Sequence, residues 1–393
     1  MVGGFISLSA EFDSVGNNGG LFIGVDTMNK QRNLSLDVLK IIAMLMVVSE
    51  HMLIYTGVMD SATIGSPQDI IIWLLRSLEK CNVNLFILIS GYYLSTSEFK
   101  FSKVVLNILE VQFFSILSFV GTLALGEMSF SLKSLIKAII PVIGNQYWFA
   151  TTYISLYLLM PVLNFLIAKL NQKQHILTIG LVYVVQCIYP NFFYLTRSAS
   201  GGGRNLSWFI VLYLTASYLH KYYQVKKTGK SFWLAVFGGM TICLSLSKIL
   251  PAMIGNNQQN ATITELSSFF FSNDSPLVYI SSCALFVVFL RFNKSPQKLL
   301  IEKGIWLLSR SSFAVYLLHD GLLKSFIFGV INLNHYIDSA FLFFFIFIWP
   351  IIIYLVATLV DQPRILLFQQ IAKLKFFEKA SKYIDRSIKN IFN

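Results

Sequence analysis

The 393-residue chain is 55% hydrophobic and only 13% charged, with 35 phenylalanines and a formal net charge of +12. That little charge cannot cover a soluble fold of this size, which excludes a soluble domain and points to a chain as apolar outside as within. The positive excess reads as the Lys/Arg bias of cytoplasmic loops rather than a nucleic-acid footprint, and four separated cysteines with no CxxC pair indicate neither a metal site nor a disulfide framework.

In chain order, residues 1–27 carry no Lys or Arg ahead of an apolar core, so they do not form a secretory signal. Met28 with Asn29-Lys30-Gln31-Arg32 is a common kind of start for a first membrane helix. Residues 1–27 are therefore expected to be a poorly ordered or non-native extension. Ten apolar runs follow, against the ~20 residues a helix needs to cross hydrocarbon: 36–58, 70–94, 104–125, 147–168, 175–194, 206–220, 231–253, 276–292, 312–332 and 340–360, of which the sixth and eighth are short. The second is the weakest, because Arg76, Glu79, Lys80, Asn82 and Asn84 interrupt it. Residues 131–144 instead read as an amphipathic segment at the interface.

With the N-terminus inside, the cytoplasmic loops hold Lys100, Lys103, Lys169, Lys173, Lys221, Lys226, Lys227, Lys230, Arg291, Lys294, Lys298 and Lys303. The outer loops hold Lys133, Lys137, Arg197 and Arg204. This asymmetry predicts an all-α, polytopic membrane helix bundle with about ten transmembrane helices and both termini cytoplasmic. The domain reading is an extension at 1–27, a transmembrane domain at 28–362, and a basic cytoplasmic tail at 363–393.

The first span carries the chemistry-bearing residues. Lys40 and His51 differ by about 20° around a helix and by about 16 Å along it, so they share one stripe, with Lys40 near the cytoplasmic end and His51 near mid-membrane. Asp37 lies one turn before Lys40 and can pair with it. Ionisable residues at that depth mark a pathway or an active site, and Glu50 beside His51 strengthens that reading over simple packing.

The stretch Arg32…Leu36-Asp37…Lys40…Ile42-Ala43…Val47-Val48…His51 resembles the opening signature of the membrane acyltransferase-3 family. Three later stretches resemble the family in the same order and spacing: NLFILISGYYL at 84–94, QYWFATTYISLYLLMPVL at 146–163 and SFAVYLLHDGLL at 312–323. The chain departs from the pattern where Lys40 replaces the usual Arg, losing its bidentate fork. It departs again where only Lys100 and Lys103 follow the SG block, and where Asp320 follows the YL-x-H histidine.

The resemblance implies transfer of an acyl group, most often acetyl from cytoplasmic acetyl-CoA, to a hydroxyl of a cell-surface polysaccharide or its lipid-linked precursor. The implied setting is a multi-pass protein of a bacterial plasma membrane, with acetyl-CoA as substrate and no bound cofactor or metal. His51 is the expected catalytic residue, either as general base or as transient acyl carrier; the base role is preferred because it needs no second histidine and no covalent step. Glu50 is expected to orient it. The donor site is expected to draw on Arg32, Asp37, Lys40, Lys100 and Lys103, with Ser90 and Gly91 allowing close approach and His319 as a further contact. Tyr147, Trp148 and Arg204 are the acceptor candidates: Trp148 as a belt residue or a platform for a sugar ring, and Arg204 as a partner for an anionic glycan. A transporter using Lys40, Glu50 and His51 as a proton or substrate path is the competing class, and it would show broken helices in paired halves.

Overall fold

The computed structural model describes residues 33–189, 201–223, 229–255, 269–292 and 299–392. The extension at 1–27 and Arg32 lie outside the described residues. Among the described residues the regular structure is helical, without strands.

Helix α1 (Leu34–Tyr55) starts where Asn33 accepts the Ser35 N–H at 3.0 Å, capping one of the donors a helix start leaves open. The weak second span resolves into two helices, α2 (Pro67–Glu79) and α3 (Asn82–Leu94), broken at Lys80-Cys81. Then come α4 (Phe101–Ala124), the short amphipathic α5 (Leu132–Ile139) within the expected interfacial segment, and α6 (Trp148–Lys169). Helix α7 (Gln172–Tyr183) passes into a π turn at Val184–Ile188. Helices α8 (Leu206–Tyr222), α9 (Lys230–Gly255) and α10 (Pro276–Leu290) follow.

The ninth span differs from expectation. It starts earlier, as α11 (Leu299–His319), and turns by 91° into α12 (Lys324–Ile331). His319 is therefore the last residue of a helix, not two turns into one. The reason lies at Gly321, where an added Cβ would stand 2.7 Å from the Tyr147 hydroxyl and 2.8 Å from the Leu317 carbonyl. The Leu317 carbonyl belongs to the last turn of α11, so the bent backbone itself leaves no room for a side chain here.

Helix α13 (Phe341–Ala372) overruns the expected tenth span and carries Pro350 and Pro363 inside it. Pro363, read from sequence as the start of the tail, does not end the helix. Buried Asp361 and Arg364 dock this stretch on Glu110 of α4, and such tertiary contacts outweigh the lost backbone bond. The basic tail forms α14 (Lys375–Phe392), which lies against α4 and α6.

Helix α1 is the hub, packed against α2, α3, α10, α11, α12 and α13. The outward face of α13 leaves Phe344, Phe347, Ile351, Leu355 and Leu359 exposed at near-helical spacing. Such a continuous apolar stripe needs a lipid environment. Among the described residues, five helices are long and apolar enough to cross a membrane, and six if the bent pair α11–α12 counts as one span. The protein is thus an all-helical, multi-pass membrane protein.

Candidate active site

Helix geometry sends neighbours Glu50 and His51 to different partners, since successive residues point about 100° apart. The Glu50 carboxylate faces the α2–α3 break. It accepts from Asn82 Nδ2 at 2.8 Å and pairs with Lys80 Nζ at 3.2 Å and Arg76 Nη2 at 3.3 Å. Arg76, Lys80 and Asn82, which weaken the second span, are therefore the cage of a buried carboxylate. Glu50, expected to orient His51, makes its hydrogen bonds elsewhere.

His51 faces α11 instead. Its Nδ1 lies 3.0 Å from Nε2 of His319, whose own Nδ1 lies 2.6 Å from the Val315 carbonyl oxygen. A carbonyl only accepts, so the His319 Nδ1 carries the proton and donates it. Neutral His319 then offers Nε2 as an acceptor, and His51 donates its Nδ1–H to it. This assigns the lone pair of His51 to Nε2. The chain of bonds thus fixes one tautomer of each ring. His319 is fully buried, whereas 19% of the His51 side chain is exposed, so His51 is the ring a substrate can reach. Asp320 Oδ1 lies 3.8 Å from His51 Nδ1 and 3.6 Å from Lys324 Nζ.

Lys40 lies on the same face of α1 and meets the same helix. Its Nζ donates to the Ser309 carbonyl at 2.5 Å, while Ser309 Oγ donates to Asp37 Oδ1 at 2.8 Å. Helices α1 and α11 therefore run parallel, and the Lys40–His51 stripe is their seam. Lys40 is 1% exposed and belongs to a buried charged layer with Asp37, Glu110, Arg310, Asp361 and Arg364. Of that layer, the sequence reading placed only Asp37 and Lys40 in the site. The long-range partners carry no local signal.

The other candidates fall into two groups. Lys100 and Lys103 lie at the start of α4, where the Tyr157 hydroxyl bonds the Lys100 backbone and Lys103 is buried. Ser90 and Gly91 serve the α3–α8 crossing: a Cβ on Gly91 would sit 3.0 Å from Ala216 Cβ and 3.1 Å from Tyr213 Cα. Toward the His51 end, Tyr147 packs on Tyr316 and reaches Gly321. Trp148 packs on Phe209, with the Arg204 guanidinium 5.7 Å from its ring centroid. The structure thus gathers His51, His319, Tyr147, Trp148 and Arg204 around the α11–α12 bend, with Lys40, Asp37, Lys100 and Lys103 toward the end where α1 begins. Sequence reasoning missed Asp320 and Lys324 as neighbours of His51, although the Asp-Gly after His319 was a signal for a bend. Among the described residues no group of three or more His, Cys, Asp or Glu side chains is arranged to hold a metal ion.

The parallel pair α1–α11 thus places two hydrogen-bonded histidines inside an apolar helix bundle. The family model described as an acyltransferase domain matches residues 33–360, and the chain belongs to this acyltransferase-3 family. It is a membrane acyltransferase. No curated protein and no solved structure matches the chain.

Proposed function

We propose that this protein transfers an acetyl group from cytoplasmic acetyl-CoA to a hydroxyl of a cell-surface polysaccharide or its lipid-linked precursor, with His51 as general base. The observation that carries the reading is the Val315–His319–His51 hydrogen-bond chain, which leaves the basic lone pair on Nε2 of the partly exposed His51. In the transfer step the acceptor hydroxyl gives its proton to His51 Nε2 as its oxygen attacks the thioester carbonyl. The carbon–sulfur bond breaks, and the CoA sulfur leaves with the proton that His51 returns. His319 stabilises the transient imidazolium by accepting from Nδ1, as an orienting partner does in a triad.

In this reading the bundle crosses the bilayer about ten times with both termini in the cytoplasm of a bacterial cell, as the basic-residue asymmetry supports. Lys100 and Lys103 sit at the donor side, where the phosphates of a nucleotide thioester need cations. Asp37 and Lys40 complete that end, Lys40 by contributing charge from the buried layer, and Arg32 is assigned to the donor from the sequence alone. Ser90 and Gly91 contribute through the close α3–α8 crossing. Tyr147, Trp148 and Arg204 form the acceptor side.

The test compares His51→Ala with the parent in purified form, following CoA release from acetyl-CoA, and in cells, following glycan O-acetyl groups by proton NMR. Loss of both signals is expected, by about 10²- to 10⁴-fold for removal of a general base. Unchanged CoA release and unchanged O-acetylation would overturn the proposal.

A further inference from the structure

The cations around His51 differ in how they are neutralised. Lys324 pairs with Asp320, and Lys80 and Arg76 with Glu50. Arg204, whose charge acts on His51, Lys80 and Asp320 alike, makes no ion pair and no side-chain hydrogen bond among the described residues. It is an exposed guanidinium on the side of the bundle where His51 lies, resting on a half-buried indole.

Its position is built, not incidental. Gly201, Gly202 and Gly203 all have left-handed backbones, with φ of 60°, 60° and 75°. At Gly203 an added Cβ would stand 2.8 Å from the Asp274 backbone nitrogen, so no other residue fits there. The Asn273 N–H donates to the Gly202 carbonyl at 3.2 Å, and the Arg204 N–H donates back to Gly201 at 3.2 Å. On the other side, Asn205 caps α8 by accepting the Trp208 N–H at 2.9 Å. Arg204 is thus pinned between a clamped glycine loop and a capped helix, which removes much of the ordering cost of binding. A surface arginine needed only for membrane orientation requires no such device.

A second aromatic lies on the other flank of His51. Tyr55 meets the histidine ring edge-on with centroids 5.5 Å apart, is 43% exposed, and has Lys324 Nζ 4.2 Å from its centroid. Trp148 and Tyr55 offer apolar faces suited to a sugar ring, but only the Trp148 side carries an unpaired cation among the described residues.

We infer that the acceptor is an anionic sugar, whose carboxylate or phosphate is bound by Arg204 with the ring on Trp148, so that a neighbouring hydroxyl meets His51. The inference rests on the acyltransferase reading and makes Arg204 the specificity-determining residue. A guanidinium recognises either anion through a two-pronged hydrogen bond, and lysine keeps the charge without the fork.

The test is ligand binding, which does not depend on turnover. The full chain in nanodiscs is dialysed against radiolabelled octyl glucuronide, octyl glucoside 6-phosphate and neutral octyl glucoside, for the parent, Arg204→Gln, Arg204→Lys and His51→Ala. At least one anionic glycoside is expected to bind about 10-fold or more tighter than the neutral one, the range of a charged hydrogen bond. Whichever anion shows the preference identifies its source as uronate or sugar phosphate. Arg204→Gln should erase the preference, Arg204→Lys should keep part of it, and His51→Ala should leave it intact. Equal binding of neutral and anionic glycosides by the parent, or a preference that survives Arg204→Gln, would overturn the inference. Failure of the acyltransferase reading shows separately, as CoA release indifferent to His51→Ala while the anion preference persists.

Discussion

Replacing His319 isolates the contribution of the histidine pair. In His319→Ala the His51 Nδ1–H loses its acceptor at 3.0 Å. The ring must then leave a buried donor unpaired, at about 1–3 kcal/mol, or exchange its proton to Nε2 and lose the base. By either route about 1–3 kcal/mol is subtracted from the productive state, which corresponds to a roughly 5- to 150-fold lower kcat. The KM for acetyl-CoA should change little, because His319 is fully buried and accepts from His51 rather than from substrate. A glutamine can present an amide oxygen toward the same Nδ1–H, so His319→Gln should recover part of the rate. The assay is steady-state CoA release by purified protein in nanodiscs, with thermal unfolding followed in parallel to separate activity from stability. If His319→Ala keeps the parent kcat, or His319→Gln is no better than alanine at equal stability, the tautomer argument is wrong.

Two further substitutions probe the scaffold. Glu50→Gln leaves Arg76 and Lys80 buried without their carboxylate, so thermal unfolding should shift down by the equivalent of about 3–5 kcal/mol, the cost of breaking a buried pair from one side. If Glu50 serves His51 directly instead, stability will hold while kcat falls. Asp385→Ala removes the acceptor, 2.7 Å away, that caps the first N–H of α4 from α14. The capping loss is about 1 kcal/mol, and α14 should become more readily cleaved by protease. Unchanged protection would show that Lys389–Glu98 and Phe392 on Phe165 suffice to hold it.

What the sequence revealed and what it hid follow the range of the interactions. The Lys40–His51 stripe was legible because helical periodicity fixes the angle between two residues on one helix. Which helix the stripe faces was not, since Ser309 and His319 lie 269 and 268 residues away. The charges in the second span were visible as a defect but not as a cage, because their purpose is set by Glu50, 26 to 32 residues earlier. At Pro363 a local rule suggested an end, and the buried Asp361–Arg364–Glu110 contacts carried the helix through. The bend after His319 had a local signal in Asp320-Gly321, but the apolar run continued beyond it and made one span of two helices.

The seam between α1 and α11 also bears on the competing transporter class. It is fastened at one end by Lys40 and Asp37 on Ser309 and at the other by His51 on His319. The two fastenings are separated by about 16 Å of helix. Alternating access along this stripe would have to break both, giving up buried hydrogen bonds at each end at about 1–3 kcal/mol apiece. An enzyme gains from the same rigidity, because a base held in one tautomer and one position needs no reorganisation when the acceptor arrives. The fastening that would obstruct a carrier is what a fixed catalytic base requires, in accord with the acyltransferase family to which the chain belongs.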